Sequence, residues 1–346
     1  MTRRPRAVVV GATFGAVYGE SLAAANSPVE LAGVISTGSP ASVELAGRLG
    51  VPLLRGLKEL PSVDIAFVVV RSGVVGGQGV EISERLLKRG IHVMQEQPVH
   101  ADEILALMRV AKAHSAHYTV NDFYSRVAPV RQFISAARNL DTVSPIRYVH
   151  ARSAIHVAYP LFTIVSNIVG PLAPSRITMP ARPSQDAQSS FVASRMTLGG
   201  VTVDLLIQNE LCAHDPDNHA RLLHTITVGS DAGELVLAHT HGSTRWNPRL
   251  RPEAATTDVH ISEKVGIEFE PTTAQVRKEL WPEAIRLAAT EFIEAIDRNR
   301  PMITQRFVRA TRLWSDVTSA MGPVNLIDPL PPAAVSAAEL GQPCQR

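Results

Sequence analysis

Residues 6–15 read Arg-Ala-Val-Val-Val-Gly-Ala-Thr-Phe-Gly, and this stretch decides the fold of the chain. The β-branched run over 6–10 predicts a short strand that ends at Gly11, and helical sequence follows to about Asn26. Glycine permits the sharp turn that joins the end of a strand to the start of a helix. The stretch therefore predicts the first strand–turn–helix unit of an α/β protein.

The same alternation continues through the first third of the chain. Further strands are expected at 29–36, 64–70, 91–94 and 118–120, with helices between them. The run at 64–70, Asp-Ile-Ala-Phe-Val-Val-Val, is almost continuously apolar, which is typical of a parallel strand buried on both faces. Repeated alternation of this kind predicts a doubly wound parallel sheet of Rossmann type.

The pattern changes at about residue 147. Strand-like segments without long helices between them predict a mainly antiparallel sheet, and they occupy 191–211, 221–228 and 233–239. Helices are expected at 159–170 and 276–298.

The predicted fold class is therefore α/β, with two domains. A Rossmann domain at 1–124 precedes an α+β domain with a large, mainly antiparallel sheet at 125–330. The last residues, 331–346, are rich in Pro and Ala and are expected to form a loose tail. A domain typically has ~100–200 residues, so two domains agree with a length of 346.

Composition excludes several classes of protein. Hydrophobic residues make up 45% of the chain and charged residues 19%, which is typical of a globular protein with ample core. A net charge of +2 is too small to indicate binding to nucleic acid or to an anionic membrane. Cys212 and Cys344 do not suffice for a disulfide framework or a Cys-x-x-Cys metal pair.

Targeting and membrane signals are also weak. Four apolar residues after the basic N-terminus are too few for a signal peptide. The longest apolar stretch, at 159–173, is interrupted by polar residues, Gly and Pro, whereas a bilayer requires ~20 apolar residues. We therefore expect a cytoplasmic protein with no nucleic-acid and no membrane partner.

The first turn carries a possible dinucleotide site. Glycines at this turn, followed by a helix N-terminus, offer backbone N–H groups to a pyrophosphate. The full Gly-x-Gly-x-x-Gly spacing is absent, and an ordinary strand–helix turn with two glycines is the alternative. Ligands bind at the carboxyl ends of such strands, so we expect a dinucleotide on Gly11, Thr13, Phe14 and Gly15.

The loop after the second strand favours NADP(H) over NAD. NAD enzymes usually place an acidic residue there for the ribose 2′-hydroxyl, and a carboxylate would repel a 2′-phosphate. This loop has no acid before Glu44, and it contains no Arg that could clamp a phosphate. The residues expected to bind the phosphate are Ser36, Thr37, Gly38, Ser39 and Ser42.

Two further strand ends are expected to face the same crevice. The third strand ends in Val70-Arg71-Ser72 before a Gly-rich segment, and Arg71 either lines the pocket or forms a structural ion pair. The next strand ends in Glu96-Gln97-Pro98. We expect Arg71, Ser72, Glu96 and Pro98 to contribute to cofactor binding.

Several motifs in order resemble known enzymes. Glu96-x-Pro98 resembles the Glu-Lys-Pro motif of the glucose–fructose oxidoreductase and inositol dehydrogenase superfamily, with Gln97 in place of the Lys. Within it, the chain is more similar to the thiazolinyl imine reductases of siderophore assembly lines, over roughly residues 6–322. The matching stretches are 11–18 (GATFGAVY), 69–77 (VVRSGVVGG), 90–100 (GIHVMQEQPVH), 121–124 (NDFY), 215–219 (DPDNH), His224 and 281–283 (WPE).

The resemblance implies NADPH-dependent reduction of the C=N bond of a thiazoline ring to a thiazolidine. The substrate would be tethered to a carrier protein of a nonribosomal peptide synthetase, and the enzyme would be a homodimer. The family's proton donors match Tyr124 and position 97, where this chain has Gln97 instead of His. An amide cannot exchange a proton as an imidazole does.

We therefore hypothesise that Tyr124 donates the proton and that Gln97 orients the ring or the nicotinamide. A second possibility is that His100 supplies the acid, although it could equally cap a helix. Two other functions remain open, a reductase of another cyclic imine and a non-catalytic NADP-binding partner of an assembly line. No metal is expected, since a Pro-Asp turn explains the grouping of His214, Asp215, Asp217, His219 and His224.

Overall fold

The computed structural model describes residues 3–70, 77–179, 190–215, 220–250, 260–328 and 335–342. The sequence predictions for Arg71, Ser72, Asp217, His219 and Cys344 lie outside these described residues.

The N-terminal part forms a six-stranded parallel sheet with the order β3-β2-β1-β4-β5-β6. Its strands are β1 (Arg6–Val10), β2 (Glu30–Ile35), β3 (Leu53–Leu54), β4 (Ile65–Val68), β5 (His92–Glu96) and β6 (Tyr118–Asn121). The connecting helices are α1 (Gly15–Ala23), α2 (Pro40–Leu49), α3 (Gly79–Leu87) and α4 (Ala101–Ala113), with a 3-10 turn at Leu57–Glu59. The predicted Rossmann topology is confirmed.

The first strand is buried on both faces of this sheet. Val8 and Val10 join a core that also contains residues of α3 and α4. Ala7 and Val9 face the opposite way and join a core that continues into the C-terminal part of the chain. This two-sided burial explains why the apolar run over 6–10 shows no polar alternation.

The C-terminal part contains an eight-stranded mixed sheet with the order β15-β14-β13-β12-β7-β10-β9-β8. Only β7 and β10 pair in parallel, so the sheet is mainly antiparallel as predicted. Its strands are β7 (Ile146–Ala154), β8 (Ser175–Thr178), β9 (Phe191–Leu198), β10 (Val201–Gln208), β12 (His224–Ser230), β13 (Gly233–Leu237), β14 (Thr244–Pro248) and β15 (Glu263–Val265). A small parallel pair consists of β11 (Glu210–Cys212) and β16 (Asn325–Ile327).

Helices cover one face of this sheet and connect it to the first domain. They are α5 (Phe123–Arg126), α6 (Ala128–Val143), α7 (Ala158–Ile168), α8 (Thr273–Gln275), α9 (Trp281–Asp297) and α10 (Gln305–Met321), with a terminal α11 (Ala337–Leu340). A π-helical turn at Val276–Leu280 leads into α9. α9 packs on α1, where the Ser21 hydroxyl donates to the carbonyl oxygen of Pro282 at 2.7 Å. In the described ranges, no helix is both long and apolar enough to cross a membrane.

The opposite face of the large sheet has no helix on it among the described elements. It carries a cross-strand ion pair between β9 and β10, in which Arg195 Nε and Asp204 Oδ1 are 2.5 Å apart. His150 approaches the same carboxylate at 3.6 Å, and the neighbouring Leu206 is 41% exposed. These side chains line a shallow groove of about 840 Å³.

Several elements have no counterpart among the predicted elements, and α6, α10 and β7 are the long ones. α6 and α10 each bury a single apolar stripe, and polar side chains occupy the rest of their surfaces. The mixed composition of such helices weakens the periodic signal in the sequence. β7 lies in the centre of the large sheet, yet its outward positions carry Arg147, His150 and Arg152, which hide its strand character.

Candidate active site

The turn after β1 has a geometry that only glycine allows. Gly11 has φ of +109°, and a Cβ there would lie 2.3 Å from the carbonyl oxygen of Val69. Its N–H donates to the carbonyl oxygen of Ile35 at 2.9 Å, which fixes the turn against β2. Helix α1 then begins at Gly15, so its free N–H groups lie at the carboxyl edge of the sheet. This cradle fits the pyrophosphate of a dinucleotide.

The two residues within the turn differ in exposure. Thr13 is exposed, whereas the ring of Phe14 packs edge-on against Phe123 and Trp281, with ring centroids 5.6 and 5.8 Å apart. We call Phe14, Phe123, Tyr124 and Trp281 the aromatic cluster. The Phe14 ring is half-buried in this cluster, so its backbone is the part that we expect to meet a cofactor.

The loop after β2 is divided between helix capping and exposed hydroxyls. Ser39 is the N-cap of α2, and the buried Ser42 donates its hydroxyl to the Ser39 carbonyl oxygen at 2.7 Å. Thr37 is exposed, and Gly38 has φ of +89°. The structure therefore gives Ser39 and Ser42 roles in capping α2, whereas Thr37 is exposed and Ser36 is half-buried.

Sequence reasoning missed one side chain at this loop. Arg55 follows β3, and its Cζ atom lies 3.5 Å from the position that a Cβ of Gly38 would take. The register Ile35↔Leu54 sets the ends of the two parallel strands side by side. Strand order is not visible in a single sequence, and the two-residue strand β3 is not among the predicted elements.

Glu96, at the end of β5, lies in a hydrogen-bonded group with Tyr18 and Asn121. The Tyr18 hydroxyl donates to Glu96 Oε2, and Asn121 Nδ2 approaches the same oxygen at 3.4 Å. Burial is the main cause that raises the pKa of Glu96 to about 8. Glu96 thus joins α1 to the ends of β5 and β6, and its carboxyl group is protonated over much of the neutral range.

The residues after Glu96 divide between the crevice and the core. Gln97 precedes Pro98 in a cis peptide bond, and its buried Oε1 has no hydrogen-bond partner among the described residues. An unpaired buried oxygen is costly, so a donor from a bound molecule would stabilise it. His100 begins α4, where its N–H donates to Glu103 Oε2 at 3.0 Å, and its ring packs on Trp314. This placement supports the helix-capping alternative for His100.

Tyr124 lies where the two domains meet. It belongs to the short helix directly after β6, and its ring packs edge-on against His224 of β12, with centroids 5.1 Å apart. His224 is completely buried, its Nε2 lies 2.8 Å from the Val157 carbonyl oxygen, and its Nδ1 lies 3.1 Å from Thr240 Oγ1. A carbonyl only accepts, so Nε2 carries the proton and Nδ1 accepts from the hydroxyl.

Burial lowers the pKa of His224 to about 4. The imidazole is therefore neutral at pH 7 and has both nitrogens occupied. It can position Tyr124 but is a poor source of a proton.

A second neutral histidine lies on the other side of the aromatic cluster. His241 Nε2 accepts from the Trp281 indole N–H at 3.0 Å, and burial lowers the pKa of His241 to about 4. His239, by contrast, is exposed. The described residues include no group of three or more His, Cys, Asp or Glu side chains that could hold a metal.

Tyr124 follows β6, whose carboxyl end lies at the same edge of the parallel sheet as the turn after β1. The charged groups nearby are committed to structure: Arg126 pairs with Glu291 at 2.8 Å and also contacts Asn121. Such a site can deliver a proton to a substrate whose neighbouring atom accepts a hydride.

Comparisons with known proteins match two parts of the chain to family models. Residues 5–122 match the model of the oxidoreductase family with an NAD-binding Rossmann fold. Residues 158–247 match the C-terminal domain of the Irp3-like thiazolinyl imine reductases. A search of the curated proteins gave no significant match.

Solved structures with the same fold include several dehydrogenases. The chain superimposes on UDP-N-acetylglucosamine 3-dehydrogenase from Acidithiobacillus ferrooxidans with a TM-score of 0.65 and 16% identity, covering 93% of this chain and 98% of that one. For levoglucosan dehydrogenase in complex with NADH and levoglucosan, the TM-score is 0.66 and the sequence identity is 14%. The match covers 92% of this chain and 97% of that one. For an oxidoreductase from Agrobacterium radiobacter in complex with NAD⁺, L-tartaric acid and magnesium, the TM-score is 0.66 and the sequence identity is 10%. The match covers 92% of this chain and 97% of that one. At these identities the likeness establishes the fold.

The two family matches confirm the resemblance seen in the motifs. The chain is an oxidoreductase whose residues 5–122 belong to the NAD-binding Rossmann family and whose residues 158–247 belong to the C-terminal domain family of the Irp3-like thiazolinyl imine reductases.

Proposed function

We propose that the protein uses NADPH to reduce the C=N bond of a thiazoline ring to a thiazolidine. The observation that carries the proposal is the position of Tyr124, between the cofactor edge of the Rossmann sheet and His224 of a thiazolinyl imine reductase domain. The substrate is a siderophore-type peptide intermediate tethered to a carrier protein of a nonribosomal peptide synthetase.

Cofactor binding falls to the carboxyl edge of the Rossmann sheet. The turn at Gly11 and the start of α1 receive the pyrophosphate, and the acid-free loop at 36–39 receives the 2′-phosphate. When bound, the reduced nicotinamide supplies a hydride to the imine carbon.

The chain itself supplies the proton and the geometry. As the imine nitrogen gains electrons it becomes more basic, and the Tyr124 hydroxyl donates its proton to it. His224 stays neutral and fixes the plane of the Tyr124 ring through their edge-on contact. Gln97 donates through Nε2 to the nicotinamide amide or the substrate ring, while its buried Oε1 accepts in return.

A homodimer is part of the proposal. The open face of the large sheet presents Leu206 beside the ion pair of Arg195 and Asp204, and a second copy would cover this face. Light scattering of the protein and a Leu206→Glu variant tests this, with a dimer for the first and a monomer for the second as the expected result. A monomeric parent protein would contradict it.

The reaction is tested with carrier-bound thiazolines and NADPH deuterated at the transferred position. The expected product gains two hydrogens, one of them deuterium on carbon, as mass spectrometry of the released thiazolidine shows. Turnover of free cyclic imines but not of tethered ones would favour a different imine substrate. Tight NADPH binding without oxidation across several tethered thiazolines would favour the non-catalytic role.

A further inference from the structure

We propose that Arg55 binds the ribose 2′-phosphate of the dinucleotide and is the residue that selects NADPH over NADH. This inference rests on the proposed function, which requires NADPH. It adds a specificity-determining residue that directly follows β3, outside the loop in which the sequence showed only hydroxyls.

The position of Arg55 follows from strand pairing. β2 and β3 run in parallel with Ile35 opposite Leu54, so the residue after Leu54 emerges beside the loop that follows Ile35. The Ser36 N–H donates to the Leu54 carbonyl oxygen at 3.0 Å, which extends this contact beyond the strands. Arg55 is therefore held at the mouth of the loop by backbone hydrogen bonds.

The guanidinium lies beside Gly38. Measured from the position that a Cβ on Gly38 would take, Cζ lies at 3.5 Å, Nε at 3.7 Å and Nη1 at 3.8 Å. Arg55 is exposed, so its charged group is next to the loop and accessible to a ligand. Thr37 and Ser39, both exposed residues, flank the same glycine.

The acidic side chains near the loop bond to groups other than the guanidinium of Arg55, so this guanidinium can bind a ligand. Glu59 accepts from the backbone N–H of Arg55 at 2.8 Å and so caps its main chain. The guanidinium of Arg55 takes part in none of the ion pairs between described residues. Arg48, the next arginine on this side, pairs with Glu20 at 2.6 Å and with Glu44 at 3.7 Å.

The chemistry discriminates between the two cofactors. A phosphate monoester offers three acceptor oxygens and close to two negative charges, which the planar fork of an Arg can bind with two parallel hydrogen bonds. The 2′-hydroxyl of NADH offers no charge. The contribution of Arg55 therefore appears only with the phosphorylated ribose.

Titration calorimetry of the full chain with 2′,5′-ADP and with 5′-AMP isolates this contribution, because the two probes differ only in the 2′-phosphate. We expect the parent protein to prefer 2′,5′-ADP. Loss of a hydrogen bond to a charged group should weaken the binding of 2′,5′-ADP by Arg55→Ala about 10- to 100-fold. The affinity of the same variant for 5′-AMP should change by less than about twofold. Arg55→Lys keeps the charge without the fork and should recover part of the loss.

Arg48→Ala is the matched control, since it removes the same charge from the neighbouring helix. It should leave the ratio of the two affinities unchanged. Equal losses of both probes in Arg55→Ala, or an unchanged ratio, would overturn the role of Arg55 and leave the proposed function intact. A parent protein that binds neither probe would overturn both the inference and the proposed cofactor.

Discussion

The ring of Tyr124 meets the imidazole of His224 edge-on, with centroids 5.1 Å apart and an interplanar angle of 77°. The first residue follows the last strand of the Rossmann sheet, and the second begins a strand of the large C-terminal sheet. This contact therefore joins the Rossmann sheet to the C-terminal sheet through one pair of side chains. Since His224 is neutral and has both ring nitrogens occupied, the proposed proton donor at this contact is Tyr124.

Replacing Tyr124 with Phe tests the proton donor directly. The variant keeps the edge-on ring contact and removes only the hydroxyl, so folding and cofactor affinity should be unchanged. A positioned general acid contributes about 10²–10⁴ in rate, and kcat should fall by that factor. The measurement is steady-state turnover of a carrier-bound thiazoline, together with the Kd for NADPH.

Tyr118→Phe serves as the control for that experiment. Its hydroxyl donates to Gln95 Oε1 at 2.9 Å within the core of the Rossmann domain. Loss of this hydrogen bond should lower stability by about 1 kcal/mol and leave kcat unchanged. Near-normal turnover in Tyr124→Phe would remove Tyr124 from the proton-donor role.

Position 97 is tested by a substitution that introduces an acid. In Gln97→His, an imidazole with an ordinary pKa of about 6.5 replaces the amide, so activity should acquire a new decline as the pH rises through that value. The parent protein should not show this decline in activity at about pH 6.5, because the amide of Gln97 does not titrate. The measurement is kcat/KM against pH from acid to neutral conditions.

Gln97→Ala separates orientation from proton transfer. Removing the amide should reduce kcat/KM by about tenfold, consistent with the loss of one or two hydrogen bonds, without changing the shape of the pH profile. If Gln97→His shows the same profile as the parent protein, position 97 lies away from the path of the proton.

Gly11→Ala tests the cofactor turn. A Cβ at this position would lie 2.3 Å from the Val69 carbonyl oxygen, and φ of +109° strains any residue with a side chain. The turn must therefore shift, and affinity for NADPH should fall at least about tenfold, because strain of about 1–3 kcal/mol has to be relieved by moving the backbone. Fluorescence titration of NADPH measures the change.

Gly47→Ala provides the comparison for that variant. Gly47 lies inside α2, and a Cβ there would contact nothing within 4 Å. Alanine in a helix interior should raise stability by about 0.4–1 kcal/mol and leave NADPH affinity as it is. Equal affinities in Gly11→Ala and Gly47→Ala would show that the turn does not contact the cofactor.

The sequence predicted those parts of the molecule that depend on local pattern. The β-branched runs and the glycine after 6–10 specify the Rossmann alternation, because each buried strand must be apolar on both faces. The contacts of Arg55 with Gly38 and of Tyr124 with His224 depend on strand order and on domain packing. Neither property is encoded within a short window, so these contacts could not be predicted from the sequence.

The same limit applies to Glu96. The motif around Glu96 suggested a contact with the cofactor. Its hydrogen bonds to Tyr18 and Asn121 depend on the packing of α1 and β6 beside it, which the motif does not show. Its position after β5 was predictable, but the burial that raises its pKa was not.

Glu96→Gln tests the consequence of that burial for stability. The folded pKa of about 8 lies above the ordinary value of 4.5, so the folded protein retains a proton that the unfolded chain releases. The unfolded state then binds fewer protons, and the stability of the parent protein decreases from about pH 4.5 to about pH 8, with a slope of at most about 1.4 kcal/mol per pH unit. A neutral amide can still accept from Tyr18 and carries no such cost.

Scanning calorimetry at three pH values between 5 and 8.5 measures this effect. We expect the Tm of Glu96→Gln to exceed that of the parent protein by a margin that grows with pH and is smallest at pH 5. Glu81→Gln is the control, because Glu81 is exposed on α3 and its one ion pair among the described residues is with Arg85, one turn away. The Tm of this variant should therefore change with pH as that of the parent protein does. Parallel curves for Glu96→Gln and the parent protein would mean that Glu96 ionises in the folded state with an ordinary pKa, and that the Tyr18 hydroxyl donates to a carboxylate throughout the neutral range.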